Sequence, residues 1–169
     1  MGQARINGTS GFLTYEQLKS EGYTPSEERQ RKAPVVMIEC VEQIPCNPCE
    51  PACKIGCIKI GNEINTIPIV DYDSCTGCGA CVASCPGLAI FIEDSSIGSG
   101  KALVSFPYEY YPLPEKDDSW RCVNRKGETV CNGIIRKVVC TERNDKTAVV
   151  TVEIPLEFVH EVRSIEGVE

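Results

Sequence analysis

Apolar stretches early in the chain alternate with polar loops that carry most of the cysteines. Residues 35–41, 64–72 and 88–93 are rich in β-branched side chains and have the length of strands. Pro68 restricts the second stretch to an edge or irregular position, because proline has no amide hydrogen to donate. The pattern therefore predicts three strands separated by cysteine-bearing loops.

The residues before the first strand have helical start signals. Residues 14–17 form a capping box, and Gly22 can close the short helix that this box opens. Residues 24–27 are a second start, with proline at the first helical position. Because two short polar helices are unstable alone, we expect residues 1–34 to be an extension that packs on the rest of the chain or on a partner. A solvated face is expected for the basic side chains of the second helix: Arg29, Arg31 and Lys32.

The pattern changes after residues 95–100, which are small, polar and glycine-rich. We place a domain boundary there, between a central domain of residues 35–99 and a C-terminal region of residues 100–169. Short strands and turns follow, which predicts a small antiparallel β-module related to a partly closed barrel. The candidate strands are residues 102–106, 120–124, 129–131, 134–141 and 147–154. Residues 155–162 fit a short helix or a last strand, and the fold class is α+β.

Composition indicates that the central domain needs stabilisation beyond its apolar core. The chain has 169 residues and twelve cysteines, but residues 40–99 contain few aromatic side chains. Such a core is marginal alone, and disulfides or a metal centre would stabilise it. Residues 1–12 show no secretory signal and no stretch has the length of a membrane span. We therefore expect a cytoplasmic protein whose clustered cysteines bind metal or carry out redox chemistry.

The net charge of −7 argues against nucleic acid as a partner. Acidic side chains outnumber basic ones in the central domain, and cysteine ligation would deepen that charge. Such a surface suits docking to a basic patch on a protein partner. It is equally explained as the charge that keeps a protein soluble.

Eight cysteines form two quartets. The second quartet, Cys75, Cys78, Cys81 and Cys85, is followed by proline and reads C-x2-C-x2-C-x3-C-P, the bacterial iron–sulfur run. The first quartet, Cys46, Cys49, Cys53 and Cys57, reads C-x2-C-x3-C-x3-C. The cysteines recur after 28 or 29 residues, which indicates an internal duplication, with single helical turns expected at residues 54–57 and 82–85. A four-cysteine zinc ribbon would leave half of each quartet unexplained, so the spacing favours iron–sulfur over zinc or disulfides.

With these motifs, residues 36–93 resemble the two-[4Fe–4S] bacterial ferredoxin family. The resemblance implies a pseudo-twofold dicluster domain in which each motif lends one ligand to the other site. By that resemblance the first cluster is held by Cys46, Cys49, Cys53 and Cys85, and the second by Cys75, Cys78, Cys81 and Cys57. The first motif departs from the family pattern, because Ile58 replaces a proline and one extra residue separates Cys49 from Cys53. These departures leave the type of the first cluster open.

The other candidate residues have a structural interpretation. We expect core packing for the four remaining cysteines, Cys40, Cys122, Cys131 and Cys140. Cys40 could exchange into the first cluster, but its strand position disfavours this. His160 is expected to be a satisfied or exposed histidine. Trp120 and the tyrosines at 108, 110 and 111 fit a partner-binding patch or connector packing equally well. No dinucleotide fingerprint, phosphate-binding loop or radical motif is present, so we predict no catalytic residues.

The leading hypothesis is an electron-transfer subunit that relays single electrons between a catalytic, flavin-containing subunit and an external carrier. The chain also resembles the small iron–sulfur subunits found with FAD-dependent amino-acid or amine dehydrogenases in anaerobes. That resemblance implies a hetero-oligomer, with FAD or FMN on the partner and not on this chain. Three alternatives stay open: a regulatory protein whose clusters are structural or redox-sensing, a free ferredoxin-like carrier, and a self-contained reductase.

Overall fold

In the computed structural model, which describes residues 12–41 and 43–167, the strands form two antiparallel sheets. The larger sheet has the spatial order β1-β4-β5-β8-β7-β6-β9. Its strands are β1 (Val35–Ile38), β4 (Ile90–Asp94), β5 (Lys101–Tyr108), β6 (Ser119–Val123), β7 (Thr129–Val139), β8 (Ala148–Pro155) and β9 (Ser164–Ile165). The smaller sheet pairs β2 (Ile58–Lys59) with β3 (Ile69–Val70). The N-terminal stretch searched for a signal sequence lies almost wholly outside the described residues.

The two N-terminal helices confirm the start signals, with one shift. Helix α1 (Tyr15–Ser20) begins with a reciprocal capping box. In it the Gln17 amide donates to Thr14 Oγ1 at 3.2 Å and the Thr14 amide donates to Gln17 Oε1 at 2.8 Å. Helix α2 (Glu27–Lys32) begins two residues later than expected, because the Ser26 hydroxyl caps it by accepting from the Arg29 amide. The preceding proline therefore lies outside the helix.

The helical turns of the cysteine loops lie earlier than the sequence indicated. Helices α3 (Cys49–Ala52) and α4 (Ala80–Ala83) replace the turns expected at 54–57 and 82–85. The stretch 64–72 forms a strand only over Ile69–Val70. Its first part is a turn, in which the Thr66 amide donates to the Glu63 carbonyl, and Pro68 then interrupts the backbone pairing.

The larger sheet runs through the expected boundary at residues 95–100. Those residues connect β4 to β5, and these two strands pair antiparallel, with Ile92 opposite Ser105. The two strands expected at 129–131 and 134–141 are one bulged strand, β7. Residues 155–162 contain a short 3₁₀ helix, Leu156–Phe158, ahead of β9. The division into an extension, a central domain and a β-module stays a prediction.

The paired strands β1 and β4 separate two apolar clusters in the described part of the chain. Alternate side chains of a strand point to opposite faces. Val36 and Ile92 accordingly lie in the cluster that contains the buried cysteines of both quartets, while Met37 and Phe91 pack with the β5–β8 core. The same two strands thus support the cysteine loops on one face and the β-module on the other. In the described residues no helix is long and apolar enough to cross a membrane.

Candidate iron–sulfur site

One cavity of the described structure brings together cysteines from both quartets. It is about 300 Å³ in volume, including its opening to solvent, and its thiols belong to Cys53, Cys57, Cys75, Cys78 and Cys81. Apolar side chains such as Val36, Ile58 and Ile92 form the rest of its wall. A soft thiol set in an apolar, largely water-excluding wall is the environment that iron–sulfur clusters require.

Cys49 has one member of its own quartet, Cys46, as a neighbour, together with Cys40 and Cys85. Burial, together with the neighbouring thiols of Cys85, Cys40 and Cys46, raises the pKa of the buried Cys49 thiol to about 11. Cys85 is thus a neighbour of Cys49, although it belongs to the second quartet. Cys40 is a member of this group that the quartets did not include.

Strand pairing shows an internal repeat of 32 residues. Ile58 pairs with Val70 in the smaller sheet, and Ile90 pairs with Ile38 in the larger sheet. Each residue of the second repeat lies 32 positions after its counterpart in the first. Ile90 corresponds to Ile58, and Val70 corresponds to Ile38. The interval of 28 or 29 residues taken from the cysteines alone is therefore wrong for the backbone.

The loops before these strands repeat with the same interval. The Gly56 amide donates to the Cys53 carbonyl at 2.9 Å, and the Leu88 amide donates to the Cys85 carbonyl at 3.1 Å. Gly56 and Leu88 both have a positive φ, of 77° and 53°. Cys53 therefore occupies the position of Cys85, and the last cysteine of the first quartet occupies the position of Ala89.

Backbone amides point at the thiols of both loops. The Ala89 amide donates to Cys85 Sγ and the Gly77 amide to Cys75 Sγ, each at 3.4 Å. Burial opposes ionisation of Cys53, but hydrogen bonds from the Cys57 thiol and from the amides of residues 56–58 lower its pKa. The Sγ atoms of Cys53 and Cys57 are 3.3 Å apart. Such donors stabilise ligating thiolates, so the residues present fit a [4Fe–4S] group.

The second site therefore has more thiols than a cluster needs. Cys57, the ligand implied by the resemblance, and Cys53 both line its cavity, and the ligand sets stay predictions. In the described residues no three His, Cys, Asp or Glu side chains converge closely enough for a single metal ion. A cubane places its four thiolates on four different irons and does not require such convergence.

Arg29 departs from the expected solvated face and binds the second cysteine loop. Its side chain is buried. Nη2 donates to the Cys75 carbonyl at 2.7 Å and Nε to the Tyr72 carbonyl at 2.8 Å. The guanidinium also donates to the carbonyls of Ala33 and Pro34. By contrast, Arg31 and Lys32 are exposed and pair with glutamates one turn earlier, as expected of a solvated face.

Replacing Arg29 with glutamine is expected to lower the reduction potential of the second cluster. Among the described side chains no carboxylate pairs with Arg29, so its charge favours the more negative, reduced state. At an effective dielectric of about 20, a buried unit charge close to a redox site contributes on the order of 1 kcal/mol, or roughly tens of millivolts for one electron. An EPR-monitored redox titration measures the shift. The exposed Arg31→Gln variant is the control, and equal potentials in both variants would contradict the effect.

A buried ion network joins the central strands to the C-terminal region. Arg163 donates to Glu39 Oε1 at 2.6 Å and to Glu93 Oε1 at 2.8 Å. Arg125 makes two further hydrogen bonds to the Glu39 carboxylate. Burial opposes ionisation of Glu39, but the two guanidinium groups hold its pKa below the usual range. His160 Nδ1 lies 2.8 Å from Glu93 Oε2, so this histidine is satisfied, as the sequence predicted.

The network also reaches the N-terminal extension. The ring of Tyr15, in α1, stacks on the His160 ring with centroids 3.9 Å apart and planes nearly parallel. Gln30, in α2, donates to the Tyr15 hydroxyl at 3.1 Å. Residues 12–34 are thus held against the rest of the chain, which bears out the expectation that the short helices pack.

The remaining cysteines and aromatic residues divide between the core and the surface. Cys122 is buried in the β5–β8 core, and Cys131 lies opposite it and packs on that core, as expected. Cys140 is exposed, with its Sγ donating to the Lys146 carbonyl, so core packing was wrong for this residue. The aromatic side chains are similarly split: Tyr108 is buried and Trp120 packs on the core, while Tyr110 and Tyr111 are exposed.

Comparison with known proteins finds ferredoxin-type relatives. Residues 68–91 match the family model of the 4Fe-4S binding domain. The chain is 33% identical over 63 residues to the Ferredoxin-type protein NapF of Haemophilus influenzae, covering 35% of this chain and 36% of NapF. It is 44% identical over 50 residues to Pyruvate synthase subunit PorD of Methanothermobacter marburgensis, covering 30% and 54%.

A third relative is part of an ion-translocating oxidoreductase complex of Methanosarcina acetivorans. The chain is 45% identical to this protein over 47 residues, covering 28% of this chain and 17% of the relative. The chain thus spans between about a sixth and about half of the length of these relatives. No solved structure matches the chain. The matches show an iron–sulfur, 4Fe-4S segment of ferredoxin type.

Proposed function

We propose that this chain, whose residues 68–91 carry a ferredoxin-type 4Fe-4S binding segment, is the electron-transfer subunit of an oxidoreductase complex. It holds two [4Fe–4S] clusters in a pseudo-twofold domain and relays single electrons between a catalytic, flavin-containing subunit and an external carrier. The observation that carries the proposal is the 32-residue repeat, in which each cysteine loop is followed by a short strand in a paired sheet. Two loops related by the same backbone repeat provide for two clusters.

The residues of this chain would set the properties of each cluster. When bound, a [4Fe–4S] cluster supplies one-electron redox chemistry. The thiolates hold the irons, and amides such as those of Gly77 and Ala89 direct hydrogen bonds to ligand sulfurs, which favours the reduced state. Val36, Ile58 and Ile92 form the apolar part of the wall of the cavity proposed for the second cluster. The chain would move electrons and leave substrate chemistry to its partner.

The proposed hetero-oligomer is supported by the relatives and by charge. PorD is by its name a subunit of pyruvate synthase, and the Methanosarcina acetivorans relative is by its name a subunit of an ion-translocating oxidoreductase complex. Charge is the second support, because a chain with a net charge of −7 suits docking to a basic patch on a partner. The flavin on that partner is proposed from the resemblance to the small iron–sulfur subunits of FAD-dependent dehydrogenases.

Anaerobic purification from the native host tests the proposal in two stages. The first stage is an assay of iron, sulfide and zinc, in which two cubanes give about eight irons per chain. A colourless, zinc-containing protein would contradict the clusters. The second stage is co-purification through a tag on this chain. A co-purifying flavoprotein that reduces the clusters when its substrate is added supports the subunit role. A monomer with reversible low-potential reduction would indicate a free carrier instead.

A further inference from the structure

The 32-residue repeat leaves the first site one ligand short. Cys46 and Cys49 lie 32 positions before Cys78 and Cys81 and correspond to them. Cys53 corresponds to Cys85, so it is the residue that crosses to the opposite site. The first site then has Cys46, Cys49 and the crossed Cys85, but the position that corresponds to Cys75 is Gln43. A cubane needs four ligands.

Cys40 lies where a fourth thiol is needed. It follows β1 by two residues and precedes Gln43 by three, and Cys75 likewise follows the corresponding strand β3, by five residues. Its side chain packs in the same apolar cluster as Cys49 and Cys85. Of the remaining cysteines outside the quartets, Cys122 and Cys131 belong to the other core, and Cys140 is exposed just after β7.

Cys57 is not needed at the second site. It corresponds to Ala89, and its carbonyl accepts a hydrogen bond from the Asp71 amide, just as the Ala89 carbonyl accepts one from the Glu39 amide. The cavity next to it already contains Cys53 and the three cysteines of the second motif. With its Sγ 3.3 Å from Cys53 Sγ, it is close enough to donate a hydrogen bond to a ligating thiolate.

We propose that Cys40 is the fourth ligand of the first [4Fe–4S] cluster and that Cys57 is an unligated thiol beside the second. The first ligand set is then Cys40, Cys46, Cys49 and Cys85, and the second is Cys53, Cys75, Cys78 and Cys81. Each ligating thiol gives up its proton when its sulfur binds iron. The inference rests on the two-cluster function proposed above and revises its ligands.

The matched variants Cys40→Ala and Cys57→Ala test the inference in the full chain, purified anaerobically. Cys57→Ala is expected to keep all of its iron, because alanine is the residue at the corresponding position of the second repeat. Cys40→Ala is expected either to lose the first cluster, so that iron falls to about half, or to hold a [3Fe–4S] form. Iron and sulfide analysis is combined with EPR spectra of oxidised and reduced samples. Full iron with an unchanged spectrum in Cys40→Ala would overturn the inference, as would the loss of a cluster in Cys57→Ala.

A serine variant and the iron content of the wild-type protein provide two further tests of the ligand assignment. If Cys40→Ala is insoluble, Cys40→Ser offers iron an oxygen ligand and is expected to keep the cluster with an altered EPR spectrum; an unchanged spectrum would again overturn the inference. The wild-type iron content separates the two proposals. A wild-type protein without clusters refutes the proposed function, whereas a wild-type protein with both clusters and indifferent Cys40 variants refutes only the ligand assignment.

Discussion

Replacing Arg163 with methionine is expected to lower the stability of the protein by about 3–5 kcal/mol, because the buried Glu93 carboxylate loses its guanidinium partner and Glu39 keeps only Arg125. Arg163 is 6% exposed and bridges Glu39 to Glu93, which is itself 1% exposed. Its guanidinium also donates to the Val162 carbonyl at 2.6 Å and lies over the Phe91 ring. Methionine fills much of the volume of the arginine side chain. The loss of stability therefore comes from the lost charge and hydrogen bonds more than from lost packing.

The measurement is the midpoint of anaerobic guanidinium unfolding. Midpoints are compared directly, because cluster release during unfolding departs from a two-state equilibrium. Arg121→Met is the control, since Arg121 makes an exposed ion pair with Glu166, and such pairs contribute about 0–1 kcal/mol. Equal midpoints for the two variants would show that the buried network contributes no more than a surface pair.

The second large effect is expected at Gly77, whose replacement by alanine should displace the second cysteine loop. A Cβ at this position would lie 2.5 Å from Pro34 Cβ and 2.9 Å from the Pro34 carbonyl carbon. The residue also has a φ of 65°, which costs a non-glycine residue about 1–2 kcal/mol. The overlap adds about 1–3 kcal/mol. We expect lower iron content and a lower thermal midpoint.

Two other glycines separate the causes of this effect. Gly79→Ala has a similar positive φ of 78° but its nearest neighbour, Ile92, is 3.9 Å away, so it reports backbone strain without overlap. Gly87→Ala has open space and an ordinary φ, so it should be neutral. If Gly77→Ala and Gly87→Ala have the same iron content, the contact of Pro34 with Gly77 does not restrict the second cysteine loop.

The sequence correctly predicted features that depend only on residues close together along the chain. The capping box at Thr14 acts within four residues, and the helix it predicts is present. The second cysteine motif is equally local, and its segment matches the 4Fe-4S binding domain. The buried position of Arg29 was not predictable in this way. Its carbonyl partners Tyr72 and Cys75 lie more than forty residues away, and nothing in the helix marks it apart from Arg31.

The repeat interval was misread for a different physical reason. Cysteine spacing is the clearest sequence signal in the two loops, and Cys57 lies at the spacing expected for the last cysteine of a quartet. In the backbone the two repeats correspond at the turn with positive φ, where Gly56 matches Leu88, and in the strand that follows this turn. The sequence does carry that signal, because Cys-Ile at 57–58 stands where Ala-Ile stands at 89–90. It is weak, since it depends on one apolar residue.

The continuous larger sheet has a consequence for how electrons would enter and leave. Electron tunnelling weakens steeply with distance, and carrier domains on flexible tethers overcome this by swinging between donor and acceptor. Here β1 and β4 connect the cysteine loops to β5 and β8 through backbone hydrogen bonds. Movement of the loops relative to the β-module would break those strand ladders. We therefore expect a fixed relay, in which redox partners must approach the cluster face and the tunnelling path is set when the protein folds.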